Sequence, residues 1–251
     1  MATQRLTKRQ KRILRQNGEL ELIHNRPLIK SDKFNIRKVN PLTENQKLTF
    51  DAFHEGKHMM LHGMAGTGKT FLSLYLALDE LLSGMSQQEK IYIIRSVVPT
   101  RDMGFLPGSS REKMKVYEAP YSAICTELFG RGDAYDILKT KNIIDFTSTS
   151  FVRGITMNNC FVIIDEINNM TFHELDSVIT RIGKNCRVIF CGDFRQSDLL
   201  REQERNGLKD FMRVIEKLDD FYYVDFLEKD IVRSKLVKDY IIARQNLGLQ
   251  A

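Results

Sequence analysis

Residues 63–70 read Gly63-Met64-Ala65-Gly66-Thr67-Gly68-Lys69-Thr70, between an apolar run, His58 to His62, and a stretch of helical periodicity, Lys69 to Leu82. Glycines at this spacing let successive backbone N–H groups turn inward around an anion, and a helix beginning at Lys69 adds the partial positive charge of its N-terminus. The pattern GxxxxGK[ST] acts as a phosphate cradle only where a strand precedes it and a helix follows, and both conditions are met here. Met64, Ala65 and Thr67 then contribute backbone donors, Lys69 reaches the β and γ oxygens, and the Thr70 hydroxyl ligates Mg²⁺.

The alternation continues along the chain. Strands are expected at Ile91 to Ile94, Phe161 to Ile164, Arg187 to Cys191 and Tyr222 to Phe226, with a further one at Ile143 to Phe146. Helices are expected at Phe172 to Ile182, Gly207 to Leu218 and Val232 to Gln245. Strand and helix in turn predict an α/β fold, a parallel sheet with helices on both faces. The main domain is expected from near Pro41 to residue 251, after a connecting segment over 18–40, and residues 99–158 read as its least regular part.

A phosphate cradle needs a carboxylate on a neighbouring strand end to hold magnesium, and Phe161-Val162-Ile163-Ile164-Asp165-Glu166 supplies one. Asp165 is the magnesium candidate, and Glu166 is placed to polarise an attacking water, a role for a hydrolase rather than a carrier. The strand from Arg187 runs into Gly192-Asp193-Phe194-Arg195-Gln196, where Gln196 would sense a γ-phosphate or position the water. Gln46 lies upstream, and a Gln amide can pair with the N6 and N7 edge of adenine, which selects ATP. Thr43 offers a helix cap beside it, and the two roles are compatible.

Charge adds a separate element. The net charge of +6 over 251 residues resides in residues 1–17, where Arg5, Lys8, Arg9, Lys11, Arg12 and Arg15 stand without an acid. Such an arm is either a phosphate-backbone contact or a solvated basic tail. Cys125, Cys160, Cys186 and Cys191 form no CxxC pair, which suits reduced thiols. With neither a secretory signal nor a membrane-length apolar run, a cytoplasmic location is expected.

The order of these motifs resembles the PhoH family of P-loop ATPases, related to superfamily 1 helicases. The resemblance covers about residues 41–245. It is carried by Gln46, GMAGTGKT, Arg95, Gly104-Phe105-Leu106-Pro107-Gly108, Arg153-Gly154, the Asp165-Glu166 strand end, Gly192-Asp193 with Gln196 and Asp198, and Asp230-Ile231-Val232-Arg233-Ser234 with Leu236-Val237. It implies a single RecA-like P-loop NTPase domain that binds and hydrolyses ATP with Mg²⁺. The compact form with a short basic leader resembles the phage-encoded branch. Three positions depart from the family pattern: Ser96 stands where Pro is usual, Met64 replaces a common Pro, and Ile167-Asn168-Asn169 replaces Ala-Gln-Asn.

Superfamily 1 translocases close a second lobe over the nucleotide, whereas here the first lobe is expected to take up almost everything after Pro41, so that a monomer lacks that partner surface. An arginine finger must then come in cis or from a neighbouring copy, and Arg233 is the first candidate. A ring of copies, such as a hexamer, would place each nucleotide at a subunit boundary. RNA or single-stranded DNA is the expected partner, through Arg95, Arg101, Lys113, Lys115 and Arg153, with Phe105 or Tyr121 available for base stacking. The alternatives are a nucleotide-switched binding or scaffold module with negligible turnover, and a small-molecule kinase.

Overall fold

The computed structural model describes residues 34–84, 86–97, 110–193 and 202–247, apart from the side chains of residues 110–113 and 202–206. In chain order the elements are α1 (Glu44–His54), β1 (His58–Gly63), α2 (Lys69–Ser83), β2 (Lys90–Arg95), α3 (Ser110–Phe129), α4 (Ala134–Thr140), β3 (Ile144–Ser148), β4 (Cys160–Asp165), α5 (Phe172–Ile179), β5 (Arg187–Gly192), α6 (Glu202–Ile215), β6 (Phe221–Phe226) and α7 (Lys235–Asn246). The strands form one parallel sheet in the order β3-β2-β4-β5-β1-β6.

Alternate strand residues project to opposite faces, so each strand feeds two cores. Met59, Leu61, Ile93, Phe161 and Ile163 pack with Phe53 of α1, Leu78 of α2, Leu128 of α3 and Leu138 of α4. Met60, Val162, Ile164 and Phe190 pack on the other face with Leu175 of α5 and Phe211 of α6. Both faces being covered, β4 and β5 are buried at every position, as a parallel sheet requires. Truncating Phe161 to Ala in this core should cost about 3–5 kcal/mol.

Several boundaries differ from the sequence expectation. The domain begins before Pro41: Phe34 is buried and stacks on Phe129 at 4.4 Å, and Arg37 N–H donates to the Leu128 carbonyl at 2.8 Å. Residues 99–158 contain two helices, α3 and α4, where the sequence predicts little regularity. The α3 pattern is interrupted by Pro120 and weakly amphipathic, which hides it from a periodicity reading. The last helix starts at Lys235 rather than Val232, with Ser234 at its N-cap, and Val232 N–H donates to the Gly66 carbonyl at 3.1 Å.

All four cysteines are free, and Cys186 alone is only half-buried, its Sγ 3.4 Å from that of Cys160. Ser96, at the site of the first departure, donates to Glu174 Oε1 at 3.0 Å, and Thr149 donates to the same oxygen at 2.5 Å. The other Glu174 oxygen closes a capping box with Thr171 at the start of α5. Proline at position 96 could not make this tie between the end of β2 and α5. Among the described residues no helix is long and apolar enough to cross a membrane.

Candidate nucleotide site

The glycine-rich loop leaves the C-terminal end of β1 between β5 and β6, at the sheet edge where parallel strands meet ligands. Gly63 has φ of 109°, and a Cβ there would overlap the Phe226 carbonyl, so only glycine lets β1 turn this close to β6. Three anchors then hold the loop. Met64 N–H donates to the Phe226 carbonyl at 2.8 Å, Val232 N–H to the Gly66 carbonyl, and Gln46 Nε2 to the Thr67 carbonyl at 3.0 Å.

Gln46 is therefore a buried brace. Its Oε1 accepts from Leu42 N–H at 2.7 Å while Thr43 caps α1, so the cap expected at Thr43 is present. The Val232 anchor depends on Asp230, which is fully buried and accepts from Asn45 Nδ2 at 2.7 Å and Leu227 N–H at 2.9 Å. These backbone and amide bonds hold its carboxyl below the usual carboxylate range, outweighing the opposing effect of burial. Asp230 is thus engaged by α1 and its own turn. Arg233 instead lies over the loop, its Cγ 3.0 Å from where a Gly66 Cβ would stand.

Inside the cradle, Lys69 Nζ donates to the Gly63 and Met64 carbonyls at 2.8 and 2.7 Å. Burial lowers its pKa, and the carboxylates of Asp193, Glu166 and Asp165 oppose that shift. Thr70 Oγ1 donates to Asp165 Oδ1 at 2.8 Å, joining the start of α2 to the end of β4. Asp165 is buried and its pKa is raised by that burial, against donors from Thr70 and Tyr121 and the charge of Arg95.

Glu166 follows with φ of 53° and ψ of 45°, a left-handed conformation that costs a non-glycine residue on the order of 1 kcal/mol. Strained backbone of this kind recurs at functional positions. Burial, then the neighbouring Asp165 charge, raises the Glu166 pKa. Asn168, at the third departure, is buried, and its Oδ1 accepts from Asp193 N–H at 3.1 Å. The shorter amide still reaches the end of β5.

Two of the residues expected to meet nucleic acid lie beside Asp165. Arg95 pairs in register with Asp165 at the ends of β2 and β4. Burial opposes its charge, but interaction with Tyr121, Glu166 and Asp165 raises its pKa above the usual guanidinium value. Tyr121 cannot stack on a base, because it is 1% exposed, packs on Phe146 and donates to Asp165 Oδ2 at 2.9 Å. Lys115 and Arg153 are exposed. Residues 1–17, Arg101, Phe105 and the rest of Gly104 to Gly108, Gln196, Asp198 and the Lys113 side chain lie outside the described residues.

A hydroxyl and a carboxylate are hard oxygen donors, and Mg²⁺ takes few protein ligands while keeping waters and phosphate oxygens. Thr70 and Asp165 therefore fit that ion, and adjacent donors fit a polyphosphate.

Residues 38–244 match the family described as PhoH-like protein. The chain belongs to that family. It is 32% identical over 213 residues to a PhoH-like protein of Mycobacterium leprae, covering 82% of this chain and 58% of that one. Protein PhoH of Escherichia coli is 33% identical over 176 residues, with coverage of 69% and 49%. The chain thus spans about half the length of the curated relatives it matches. Among solved structures, the large terminase of a thermophilic bacteriophage aligns with a TM-score of 0.51 at 11% identity, over 80% of this chain and 50% of that one. That likeness concerns the fold alone, a RecA-like P-loop NTPase domain.

Proposed function

We propose that this PhoH-like chain binds ATP with Mg²⁺, hydrolyses it, and acts on RNA or single-stranded DNA as a homo-oligomer. The observation that carries this reading is the convergence of Lys69, Thr70, Asp165 and Glu166 at one strand edge, with Thr70 already bonded to Asp165 at 2.8 Å. Lys69 would leave the Gly63 and Met64 carbonyls for the β and γ oxygens, stabilising charge on the transferring phosphoryl group. Mg²⁺, held by Thr70 and Asp165, would supply charge neutralisation between those phosphates. Glu166, more basic than an ordinary carboxylate, would take a proton from the attacking water. Gln196 would sense the γ-phosphate or hold that water.

Adenine selection by Gln46 would use its second Nε2 hydrogen and the remaining Oε1 lone pair. Arg233 is suited to act as a finger in cis, since its stem already overlies Gly66. Self-association is supported by α7, which buries no residue and exposes Leu236 and Tyr240, one turn apart, at 80% and 64%. Arg95, Arg101, Lys113, Lys115 and Arg153 are the candidates for a nucleic-acid backbone, together with the basic arm over 1–17.

The deciding experiment measures phosphate release with wild type, Lys69→Ala and Glu166→Gln, with and without single-stranded RNA or DNA. Magnesium-dependent release lost in both variants is expected. Full turnover in both would overturn the reading. Tight ATP binding without release by the wild type would leave the scaffold reading in its place.

A further inference from the structure

The Asp165 carboxylate receives two hydroxyl hydrogens from opposite sides. Thr70, inside the cradle, donates to Oδ1 at 2.8 Å, and Tyr121, from the middle of α3, donates to Oδ2 at 2.9 Å. Tyr121 follows Pro120, and its ring is 1% exposed, tilted against Phe146 with centroids 5.7 Å apart. A phenol buried to this degree must find an acceptor, and many carbonyls would serve. Here it takes one oxygen of the carboxylate expected to face the cation.

That choice has a geometric consequence. A carboxylate offers about four lone-pair directions, and its terminal torsion is broad, so a lone Asp would sample many orientations. Fixing Oδ1 by Thr70 and Oδ2 by Tyr121 sets the plane of the group and directs its remaining lone pairs. Arg95 completes the set, since it interacts with both Tyr121 and Asp165. Burial, with the Asp165 charge adding to it, pushes the Tyr121 phenol well above its ordinary range, which agrees with its place as the donor to Oδ2.

We propose that Tyr121 is a positioning residue of the magnesium site, whose phenol holds Asp165 in the orientation that receives the cation without itself touching nucleotide. This rests on the reading of Asp165 as the magnesium carboxylate. Preorganising a carboxylate lowers the cost of capturing the ion, so removal of the phenol should weaken the cation more than the nucleotide.

The test uses the full chain and a fluorescent N-methylanthraniloyl-ADP, titrated first in EDTA and then at fixed nucleotide against MgCl₂. For Tyr121→Phe, which keeps the ring, affinity in EDTA should stay within about twofold of wild type. The magnesium midpoint should rise about tenfold, the scale of about 1.4 kcal/mol. Phe146→Leu, which loosens the ring but retains the phenol, should shift the midpoint in the same direction by less, and it decides the matter if Tyr121→Phe does not fold. Asp165→Asn should abolish the magnesium enhancement. An unchanged midpoint in Tyr121→Phe, or an equal loss in EDTA, would overturn the positioning role alone. If the wild type shows no enhancement, or Asp165→Asn retains it, the magnesium reading of Asp165 fails and this inference falls with it.

Discussion

Asn168 Oδ1 accepts the Asp193 backbone N–H at 3.1 Å, which ties the acidic end of β4 to the end of β5 across one strand spacing. Asn168 also helps hold down the pKa of Glu166. It therefore contacts both the general-base candidate and the strand that leads to Gln196.

Asn168→Ala should remove the acceptor of the buried Asp193 N–H, at a stability cost of about 1–3 kcal/mol. It should lower kcat about tenfold with little change in KM for ATP, because the cradle and Lys69 are untouched. Steady-state kinetics beside thermal unfolding would check both parts. A change confined to KM would show that the tie does not serve the chemical step.

Glu166→Gln tests the burial of a charge. In the folded state the Glu166 carboxyl is raised above its unfolded value near 4.5, so the ionised form disfavours folding wherever pH exceeds the folded value. Glutamine removes that penalty. Without nucleotide and in EDTA, the variant should be more stable than wild type at pH 7 and unfold at a higher Tm. The gain should shrink as pH falls through the folded value and vanish below the unfolded one, where the wild-type carboxyl is protonated in both states. Unfolding midpoints of both proteins between pH 4 and 8 decide this, and a gain independent of pH would contradict it.

The chemistry of the site is legible because it lies in contiguous stretches. Lys69 and Thr70 sit in one octapeptide, and Asp165-Glu166 ends an apolar strand, so type and spacing alone announce them. The ties of Arg95 and Tyr121 to Asp165 are hidden in the sequence because their partner is 70 and 44 positions away, across β2–β4 pairing and α3 packing. No local pattern reports such distances. The α3 helix escapes for a different reason, since Pro120 and a weak apolar stripe remove the two signals that mark a helix. Phe34 illustrates a third limit: one aromatic in a polar stretch shows no period, though its stacking on Phe129 places residues before Pro41 in the domain.

Arg233 is exposed and makes its contact with the loop through its stem, so Arg233→Ala should change stability by less than about 0.5 kcal/mol. As a finger it should nevertheless contribute strongly to turnover, and the variant should lose roughly 10³-fold in kcat, the low end for such residues. The stem lies on its own chain's Gly66, so a finger acting in cis makes specific activity independent of subunit mixing. In mixtures of Arg233→Ala with Lys69→Ala, activity should not recover. Recovery on mixing would show that the arginine serves a neighbouring copy.

Lys115 and Arg153 provide the check on the nucleic-acid partner, because both are exposed and neither contributes to the nucleotide site. If each meets one phosphate of a single strand, its replacement by Ala should reduce the slope of log affinity against log salt by about 0.7, the value for one single-strand contact. Affinity at low salt should fall while ATP binding without nucleic acid stays as in wild type. The double variant should be additive, since Lys115 lies on α3, Arg153 lies in the turn between β3 and β4, and they share no described partner. Titrations of fluorescent single-stranded RNA and DNA at several salt concentrations measure the slopes. Unchanged slopes in both variants would remove these two side chains from the interface and leave Arg95, Arg101, Lys113 and the basic arm, the last tested by deleting residues 1–17, as the candidate phosphate contacts.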